Sequence, residues 1–207
     1  MIILGITGGV GSGKSRILYD LKENYNAYIV EADKLAHELM QPDKSIYNEI
    51  VSTFGRSILK EEPPYYIDRE KLGNIVFNDS ERLTVLNGIV HPLVKEEIIR
   101  QINEARDSGK YELFVIEAAL LIQDGYKSIC DEIWYIWVGR EERIRRLMIQ
   151  RGITREKCIS IIDSQETDEY YKKYANFTIN NQNNYENSSK QLKERLNKIL
   201  LDGIINE

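Results

Sequence analysis

The residues best able to do chemistry lie near the start of the chain, where Gly8 is followed by Gly13, Lys14 and Ser15. This spacing is the Walker A pattern, in which the backbone N–H groups of a glycine-rich loop turn inward around phosphates. Lys14 can reach the β- and γ-phosphates, and the Ser15 hydroxyl can ligate Mg²⁺. The predicted nucleotide site comprises Gly8, Gly9, Val10, Gly11, Ser12, Gly13, Lys14, Ser15 and Arg16, of which Arg16 need not touch the nucleotide.

Such a loop must lie between a buried strand and a helix. The apolar run at 2–7 is typical of a buried parallel strand, and residues 15–23 have one apolar helical face. Further strands are predicted at 27–30, 112–118 and 132–138, with a short piece at 177–180 and a last helix to about Leu201. Strands separated by helices indicate an α/β fold, here a P-loop NTPase-type parallel sheet flanked by helices.

The middle of the chain has a different pattern. Helical periodicity without a clear strand runs from Lys34 to about Arg106, and a further helical pair is predicted at 141–150 and 155–165. We predict a nucleotide-binding core at 1–33 and 110–207, with a helical lid at about 140–166. The segment 34–109 is predicted to be an inserted helical region that binds the acceptor.

Composition limits the possible partners. The 207 residues include 28 basic and 33 acidic side chains, a formal net charge of −5. A general nucleic-acid or membrane-surface binder would normally carry a basic excess, so we expect neither partner. The two cysteines have no metal-ligand or redox spacing, and no run is long enough to cross a membrane. These features predict a cytoplasmic protein.

The Walker A pattern alone leaves several NTPase classes open. A regulatory GTPase would need Asn-Lys-x-Asp and Asp-x-x-Gly, and the chain has neither; a motor or helicase would usually be larger. Glu117, at the end of the third predicted strand, is either an acid linked to the metal or a polar residue at the sheet edge. Small size with a helical insertion favours phosphate transfer to a small molecule.

A carboxylate for the acceptor side is predicted after the second strand. Ligands of a parallel sheet gather at the carboxyl ends of its strands, so Glu31 and Asp33 lie near the phosphate loop if the first two strands are neighbours. We expect only one of them to face the reaction centre. Such a carboxylate can orient a hydroxyl and take its proton. Equally, Asp33 can be the N-cap of a helix beginning at Lys34.

Several segments in order resemble the dephospho-coenzyme A kinase family. After GITGGVGSGKS, the resemblance rests on VEADKLAHELM (30–40), IDREKLGNIVF (67–77), LNGIVHP (86–92), AALLIQ (118–123), ERIRRLMIQRGIT (142–154) and YANFTINN (174–181). It covers nearly the whole chain and implies transfer of the ATP γ-phosphate, with Mg²⁺, to the ribose 3′-hydroxyl of dephospho-coenzyme A. This reaction is the last step of coenzyme A biosynthesis.

The resemblance also implies roles for particular residues. Asp33 becomes the catalytic base, Arg69 contacts a phosphate of the coenzyme, and His91 shapes the acceptor pocket. Alternatively, Arg69 is a solvated arginine at a helix start, and lone histidines such as His37 and His91 are more often structural. Pro92 is expected just before a helix. Asn180 falls in the nucleotide-base loop.

The lid carries Arg143, Arg145, Arg146 and Arg151. Arg143 and Arg146 share a helical face, whereas Arg145 points elsewhere. A lid arginine can neutralise charge on the transferring phosphoryl group. We favour Arg146, with Arg151 next, and the sequence leaves open which of Arg143, Arg146 and Arg151 contacts the phosphates.

The chain also departs from the family pattern. Glu31, Ala119, Gln123 and Asn176 stand where the family usually has aspartate, proline, glutamate and aspartate, and Gln150 falls on a common lid arginine. None of these changes touches the phosphate loop or Asp33. Two alternatives remain: a nucleoside or nucleotide kinase of the same architecture, and a nucleotide-dependent binding module without transfer activity. Oligomeric state and the pantetheine contacts cannot be assigned from the sequence.

Overall fold

The computed structural model describes residues 1–77 and 79–205. Its sheet has five strands in the order β2-β3-β1-β4-β5. The strands are β1 (Ile2–Thr7), β2 (Ala27–Glu31), β3 (Leu113–Glu117), β4 (Glu132–Trp137) and β5 (Phe177–Asn180). β1 pairs in parallel with β3 and β4, and β4 pairs in parallel with β5. The predicted α/β class with a parallel sheet is confirmed.

In the described part of the chain one α-helix follows β1, four follow β2, three follow β4 and one follows β5. They are α1 (Lys14–Asn24), α2 (Ala32–Leu39), α3 (Ser45–Phe54), α4 (Arg69–Phe77), α5 (Ser80–Ser108), α6 (Arg140–Arg151), α7 (Arg155–Asp163), α8 (Asp168–Tyr174) and α9 (Tyr185–Ile205). None of the helices within residues 1–77 and 79–205 is long and apolar enough to cross a membrane.

The chain divides into two compact units, one of residues 1–30 and 105–207 and the other of residues 31–104. The core of the first unit lies between the sheet and the helices that flank it. Its fully buried side chains include Leu4 and Ile6 of β1, Ile17 of α1, Trp134 of β4 and Leu196 of α9. Burying one such aliphatic side chain stabilises the fold by about 1.5–3 kcal/mol, so the helices that flank β1 and β4 are held by this apolar packing.

The second unit contains α2, α3, α4 and most of α5. Ile46 and Ile50, four residues apart on α3, are fully buried together with Ile58. Extended pairing among the described residues of this unit amounts to one isolated antiparallel bridge between Leu59 and Ile67. The predicted helical character of the region agrees with this description.

The structure corrects one sequence-based expectation of local structure and decides one condition that the sequence left open. Pro92 does not precede a helix but lies inside α5, which runs through it from Ser80 to Ser108. Proline removes the backbone hydrogen bond to the carbonyl four residues earlier, which is that of Gly88. The first two strands are also not neighbours, because β3 lies between β1 and β2.

Candidate active site

The phosphate loop ends at Gly13, which is the N-cap of α1 and has a φ of 85°. A Cβ atom at Gly13 would lie 2.5 Å from Nδ2 of Asn181, so glycine is required both by the backbone angle and by this close approach. Lys14 and Ser15 are the first two residues of α1, whose first turn carries no acidic side chain. The positive end of the helix therefore faces the loop, and no carboxylate of the helix's own first turn competes for it.

Two buried hydroxyl groups at the loop have no hydrogen-bond partner among the described residues. They are Oγ1 of Thr7, at the end of β1, and Oγ of Ser12 within the loop. Buried hydroxyls are normally paired, and an unpaired one costs free energy. Phosphate oxygens would supply acceptors for these groups, so the chemistry of the loop fits a nucleotide phosphate chain.

Lys14 is held between the loop and the neighbouring strand. Its Nζ donates to the carbonyl oxygen of Gly8 at 2.8 Å and lies 3.4 Å from a carboxylate oxygen of Glu117. Glu117 reaches this place because β1 and β3 pair in parallel with Ile6 opposite Glu117. The sequence left Glu117 open between a metal-linked acid and an edge residue, and the structure places it beside the loop lysine.

The same neighbourhood offers hard oxygen donors for a divalent cation. The Ser15 hydroxyl on α1 and the Glu117 carboxylate are the kinds of ligand that Mg²⁺ takes, together with substrate phosphates and water. Across residues 1–77 and 79–205 there is no cluster of three or more histidine, cysteine or acidic side chains that could hold a metal by itself. The residues present fit a magnesium ion that arrives with the nucleotide.

Two arginines of α6 contact the outer side of the loop. The Arg143 side chain is buried, and its Nε donates to the carbonyl oxygen of Val10 at 2.9 Å. Nη2 of Arg146 donates to the carbonyl oxygen of Asn181 at 2.8 Å, and its Nη1 lies 3.4 Å from the carbonyl oxygen of Ser12. Both side chains lie on one face of α6, as their three-residue spacing predicts.

The remaining lid arginines are held differently. Arg145 is exposed and forms two hydrogen bonds to Glu142, at 2.6 and 2.7 Å, and Glu142 also accepts from Nε of Arg146 at 2.8 Å. The hydrogen bonds from Arg145, opposed by partial burial and reinforced by Arg146, lower the pKa of Glu142 to about 2. Arg151 is the exposed last residue of α6. Of the three arginines left open by the sequence, only Arg143 and Arg146 have hydrogen bonds to the loop in the described structure.

A cleft of about 380 Å³ adjoins the loop. It is lined by Gly11, Gly13, Arg16, Arg145, Arg146, Ile149, Gln150, Asn181, Asn183 and Tyr185. Ligand sites for small molecules usually have a volume of about 300–1,000 Å³, so the cleft is large enough for part of a nucleotide.

Arg16 lies on one wall of this cleft, over the ring of Tyr185 at 4.7 Å from the ring centre. The Tyr185 hydroxyl donates to the buried Asp20 carboxylate at 2.7 Å, and burial together with this bond raises the pKa of Tyr185. The ring is therefore fixed and stays neutral. The contact gives Arg16, which the sequence left unexplained, a defined orientation at the cleft.

Asn180 and Asn181 differ in where they lie. Asn180 is the exposed last residue of β5, and its side chain accepts from the backbone N–H of Gln182 at 3.0 Å. Asn181 is buried and donates through Nδ2 to the carbonyl oxygen of Ser12 at 2.8 Å. The described lining of the cleft includes Asn181 but not Asn180.

In the second unit, Asp33 is the second residue of α2, and Glu31 is the N-cap. The alternative in which Asp33 caps a helix from Lys34 is therefore wrong, because the helix begins two residues earlier. Glu31 pairs with Lys34 at 2.7 Å, whereas Asp33 is exposed. Among the described residues no side chain pairs with the Asp33 carboxylate, so its oxygens are available to a ligand as hydrogen-bond acceptors.

The second unit also contains a pocket of about 340 Å³. It is lined by His37, Met40, Gln41, Tyr66, Ile67, Arg69, Leu72, Gly73, Val76 and Leu86. The lining combines apolar surface with one guanidinium, which suits a ligand that has both an apolar part and an anionic group. Arg69 lies on this pocket at the start of α4, and His91 lies in α5 outside the described lining.

Sequence reasoning did not single out Asn181 or Glu142, and it gave Gln165 no contact. Asn181 follows the last residue of β5, so the rule that ligands gather at the carboxyl ends of parallel strands could have identified it. Glu142 precedes Arg146 by four residues on a helix, a spacing that predicts an ion pair. Gln165 accepts a hydrogen bond from the backbone N–H of Val10, 155 residues away, and no local sequence pattern predicts a contact at that separation.

Comparison with known proteins decides the family. The CoaE dephospho-CoA kinase family model matches residues 2–187. The chain belongs to the dephospho-CoA kinase family. The family inferred by resemblance is therefore confirmed, and with it the enzyme class, a kinase that takes its phosphate from ATP.

Individual relatives agree with this assignment. The dephospho-CoA kinase of Carboxydothermus hydrogenoformans is 38% identical over 196 residues, covering 95% of this chain and 93% of the relative. That of Dehalococcoides mccartyi is 39% identical over 200 residues, covering 95% and 98%. The solved dephospho-CoA kinase from Campylobacter jejuni has a TM-score of 0.68 and 25% identity, covering 97% of this chain and 98% of that structure.

Proposed function

We propose that this chain transfers the γ-phosphate of ATP to the ribose 3′-hydroxyl of dephospho-coenzyme A, giving coenzyme A and ADP. The observation that carries the proposal is the family match over residues 2–187, on a chain whose phosphate loop and loop lysine have the geometry described above. The proposal places the reaction in the cytoplasm, without nucleic acid or membrane as partner.

The donor half of the site is assigned to the loop. Inward-facing N–H groups of the loop and of the first turn of α1 bind the phosphates, and Lys14 turns from Glu117 and the Gly8 carbonyl toward the β- and γ-phosphates. Ser15 and Glu117 would hold Mg²⁺, which would neutralise part of the charge on the phosphates. Glu117 also keeps the ammonium group of Lys14 close to the loop until ATP binds.

The lid half of the site is assigned chiefly to Arg146. Its guanidinium lies beside the loop on one wall of the cleft, where it can neutralise charge on the transferring phosphoryl group. Glu142, four residues earlier, orients this arginine through Nε. Arg16 and Asn181 flank the nucleoside part of ATP in the same cleft, and contacts from Arg151 and Asn180 remain predictions.

The acceptor half is assigned to the insertion predicted at 34–109. Asp33 accepts the proton of the 3′-hydroxyl while the oxygen of that hydroxyl attacks the γ-phosphorus. Arg69 binds a phosphate of the coenzyme, and the apolar walls of the pocket accommodate an uncharged part of the same molecule. His91, inside α5, supports the acceptor region without moving a proton.

An acceptor panel tests the proposal. The protein is incubated with ATP, Mg²⁺ and, separately, dephospho-coenzyme A, its 3′-deoxy analogue, AMP, CMP and a nucleoside, and ADP release and product mass are measured. We expect phosphorylation of dephospho-coenzyme A and no reaction of the 3′-deoxy analogue. Phosphorylation of AMP, CMP or the nucleoside, with dephospho-coenzyme A unchanged, would contradict the proposal. Inactivity toward every acceptor would favour the binding module.

A further inference from the structure

Both backbone polar groups of Val10, in the phosphate loop, are bound by side chains from later in the chain. The N–H of Val10 donates to Oε1 of Gln165 at 2.9 Å, and its carbonyl oxygen accepts from Nε of Arg143 at 2.9 Å. Arg143 also donates through Nη2 to the same Oε1 of Gln165 at 2.5 Å. We name this closed set of three hydrogen bonds the Val10 clasp.

The clasp determines what Val10 can do for a nucleotide. A Walker loop binds phosphate through N–H groups that turn inward, but the N–H of Val10 is already directed to Gln165. Val10 therefore contributes to the site by fixing the path of the loop, and its own N–H is not one of those that bind the anion.

Arg143 is placed to hold the loop and not to reach the phosphates. Only 6% of the residue is exposed, and its Nε and one terminal nitrogen are both used within the clasp. Burial lowers the pKa of Arg143, and the nearby Tyr135 and Asp168 oppose that effect. Asp168 is itself fixed by hydrogen bonds from the Tyr135 hydroxyl and the Trp137 indole, each at 2.6 Å.

The contrast with Arg146 supports a division of roles on α6. Arg146, three residues further along the helix, lines the cleft beside the loop, whereas the described lining of that cleft does not include Arg143. One helix therefore presents two arginines to the loop, one for the ligand side and one for the supporting side.

We propose that Arg143 and Gln165 are positioning residues, which hold the phosphate loop in the conformation that binds the triphosphate without touching the nucleotide themselves. Because Arg143 lies on α6 and Gln165 follows α7, the clasp also makes that conformation depend on the position of these two helices. The inference rests on the proposed function in one respect, the binding of ATP at this loop.

Four variants test the clasp: Arg143→Met, Arg143→Lys, Gln165→Met and the double methionine variant. We measure Kd for ATP and for AMP by calorimetry, together with the melting temperature. Each methionine variant is expected to weaken ATP binding about ten-fold or more, the scale of leaving a buried hydrogen-bonding group unpaired, and to change AMP binding much less. The double variant should be no worse than the poorer single variant, because both remove the same clasp.

Arg143→Lys separates positioning from charge. Lysine keeps the positive charge but cannot make both hydrogen bonds, so it should bind ATP as poorly as Arg143→Met. Arg140→Met is the matched control, since Arg140 is exposed on the same helix and pairs only with Asp163 among its described contacts; it should bind ATP like the parent.

Three results would overturn the inference: full ATP affinity in Arg143→Lys, additive losses in the double variant, or equal weakening of ATP and AMP. If Arg143→Met does not fold, Gln165→Met, which removes no charge, is used in its place. A loss of ATP affinity much larger than the loss of AMP affinity supports the inference, and equal losses contradict it. Failure of the parent protein to bind ATP would refute the proposed function instead, so the two failures are distinguishable.

Discussion

Lys14 and Glu117 form an ion pair of 3.4 Å across the carboxyl ends of β1 and β3, at the point where the phosphate loop begins. Both side chains are largely buried, with 17% and 12% of their surface exposed. A buried ion pair is costly to maintain unless it has further partners, and Lys14 has one in the Gly8 carbonyl. The pair places an ammonium group and a carboxylate side by side where phosphate and Mg²⁺ are proposed to bind.

Glu117→Gln removes the charge of this carboxylate and keeps its shape. If Glu117 acts on the magnesium ion, the variant should need about 10- to 100-fold more Mg²⁺ for half-maximal velocity and should turn over more slowly. Initial rates over a Mg²⁺ series measure this. Glu112, the exposed residue just before β3, provides the control, and Glu112→Gln should behave like the parent. An unchanged Mg²⁺ requirement in Glu117→Gln would show that Glu117 does not act on the metal and is a polar residue at the sheet edge.

Asp33→Asn tests the proposed base. The side chain is exposed, so the substitution should leave the melting temperature unchanged. Turnover should fall by about 10²- to 10⁴-fold, the contribution of a positioned general base, whereas Kd for ATP should stay within about three-fold. Steady-state rates and calorimetry with ATP give the two quantities, and Asp43→Asn, another exposed aspartate of the second unit, serves for comparison. Turnover equal to that of the parent would contradict the role of Asp33 as the base.

Gly73→Leu fills the pocket of the second unit. Gly73 lies on α4 at the pocket wall, and a Cβ there would meet nothing within 4 Å, so the larger side chain enters open space. Leucine also favours a helix more than glycine does, by roughly 0.5–1 kcal/mol, and the fold should not suffer. We expect KM for dephospho-coenzyme A to rise at least ten-fold with KM for ATP unchanged. Asn74→Leu, the next residue of α4 and exposed outside the lining, should alter neither constant.

Stability should depend on pH through Glu142. Its pKa in the folded protein is about 2, against an ordinary value of 4.5, so the charged form is favoured by folding. The resulting stabilisation is complete above pH 4.5 and is lost as the pH falls toward 2. Urea unfolding should therefore find the parent more stable than Glu142→Gln at pH 6, and the difference should shrink at pH 2.5. Glu141→Gln, an exposed neighbour, should show little difference at either pH.

Gly9→Ala tests the position of Arg143 by steric means. An ideal Cβ at Gly9 would lie 2.2 Å from Nη2 of Arg143, closer than any real contact. The variant should lose stability and ATP affinity in the parent background. In the Arg143→Ala background the same substitution should cost much less, because the obstructing guanidinium is gone. Thermal melts and ATP calorimetry on the four proteins give the coupling. Equal losses of stability and of ATP affinity in both backgrounds would contradict a contact between Arg143 and Gly9.

Local patterns in the sequence predicted most elements of the sheet and its neighbours. β1 and β5 have the predicted bounds, and α1 extends the predicted helix by one residue at each end. These segments succeed because short apolar runs and helical periodicity are local properties. α8, with seven residues of which only Tyr171 is buried, has too little periodicity to be recognised.

Relationships between distant segments were harder to predict. The position of β3 between β1 and β2 follows from how the whole sheet packs and not from any single strand. Likewise, the spacing of Arg143 and Arg146 predicted a shared face, but only the positions of Val10 and Asn181 distinguish what each arginine contacts. α2 begins at Ala32, two residues before the start that the capping interpretation assumed. Asp33 therefore lies in the first turn and is not the cap. A difference of this size is within the usual uncertainty of helix boundaries.

The hydrogen bond from Asn181 to Ser12 joins residues 169 positions apart. A ribosome adds about 5–20 residues per second, so roughly 10–30 s pass between the appearance of the phosphate loop and that of the side chain that fastens it. During this interval the nascent chain gains first Arg143, then Gln165 and last Asn181. We therefore expect the loop to reach its ATP-binding conformation only after residue 181 has been synthesised, and shorter fragments should not compete for cellular nucleotide.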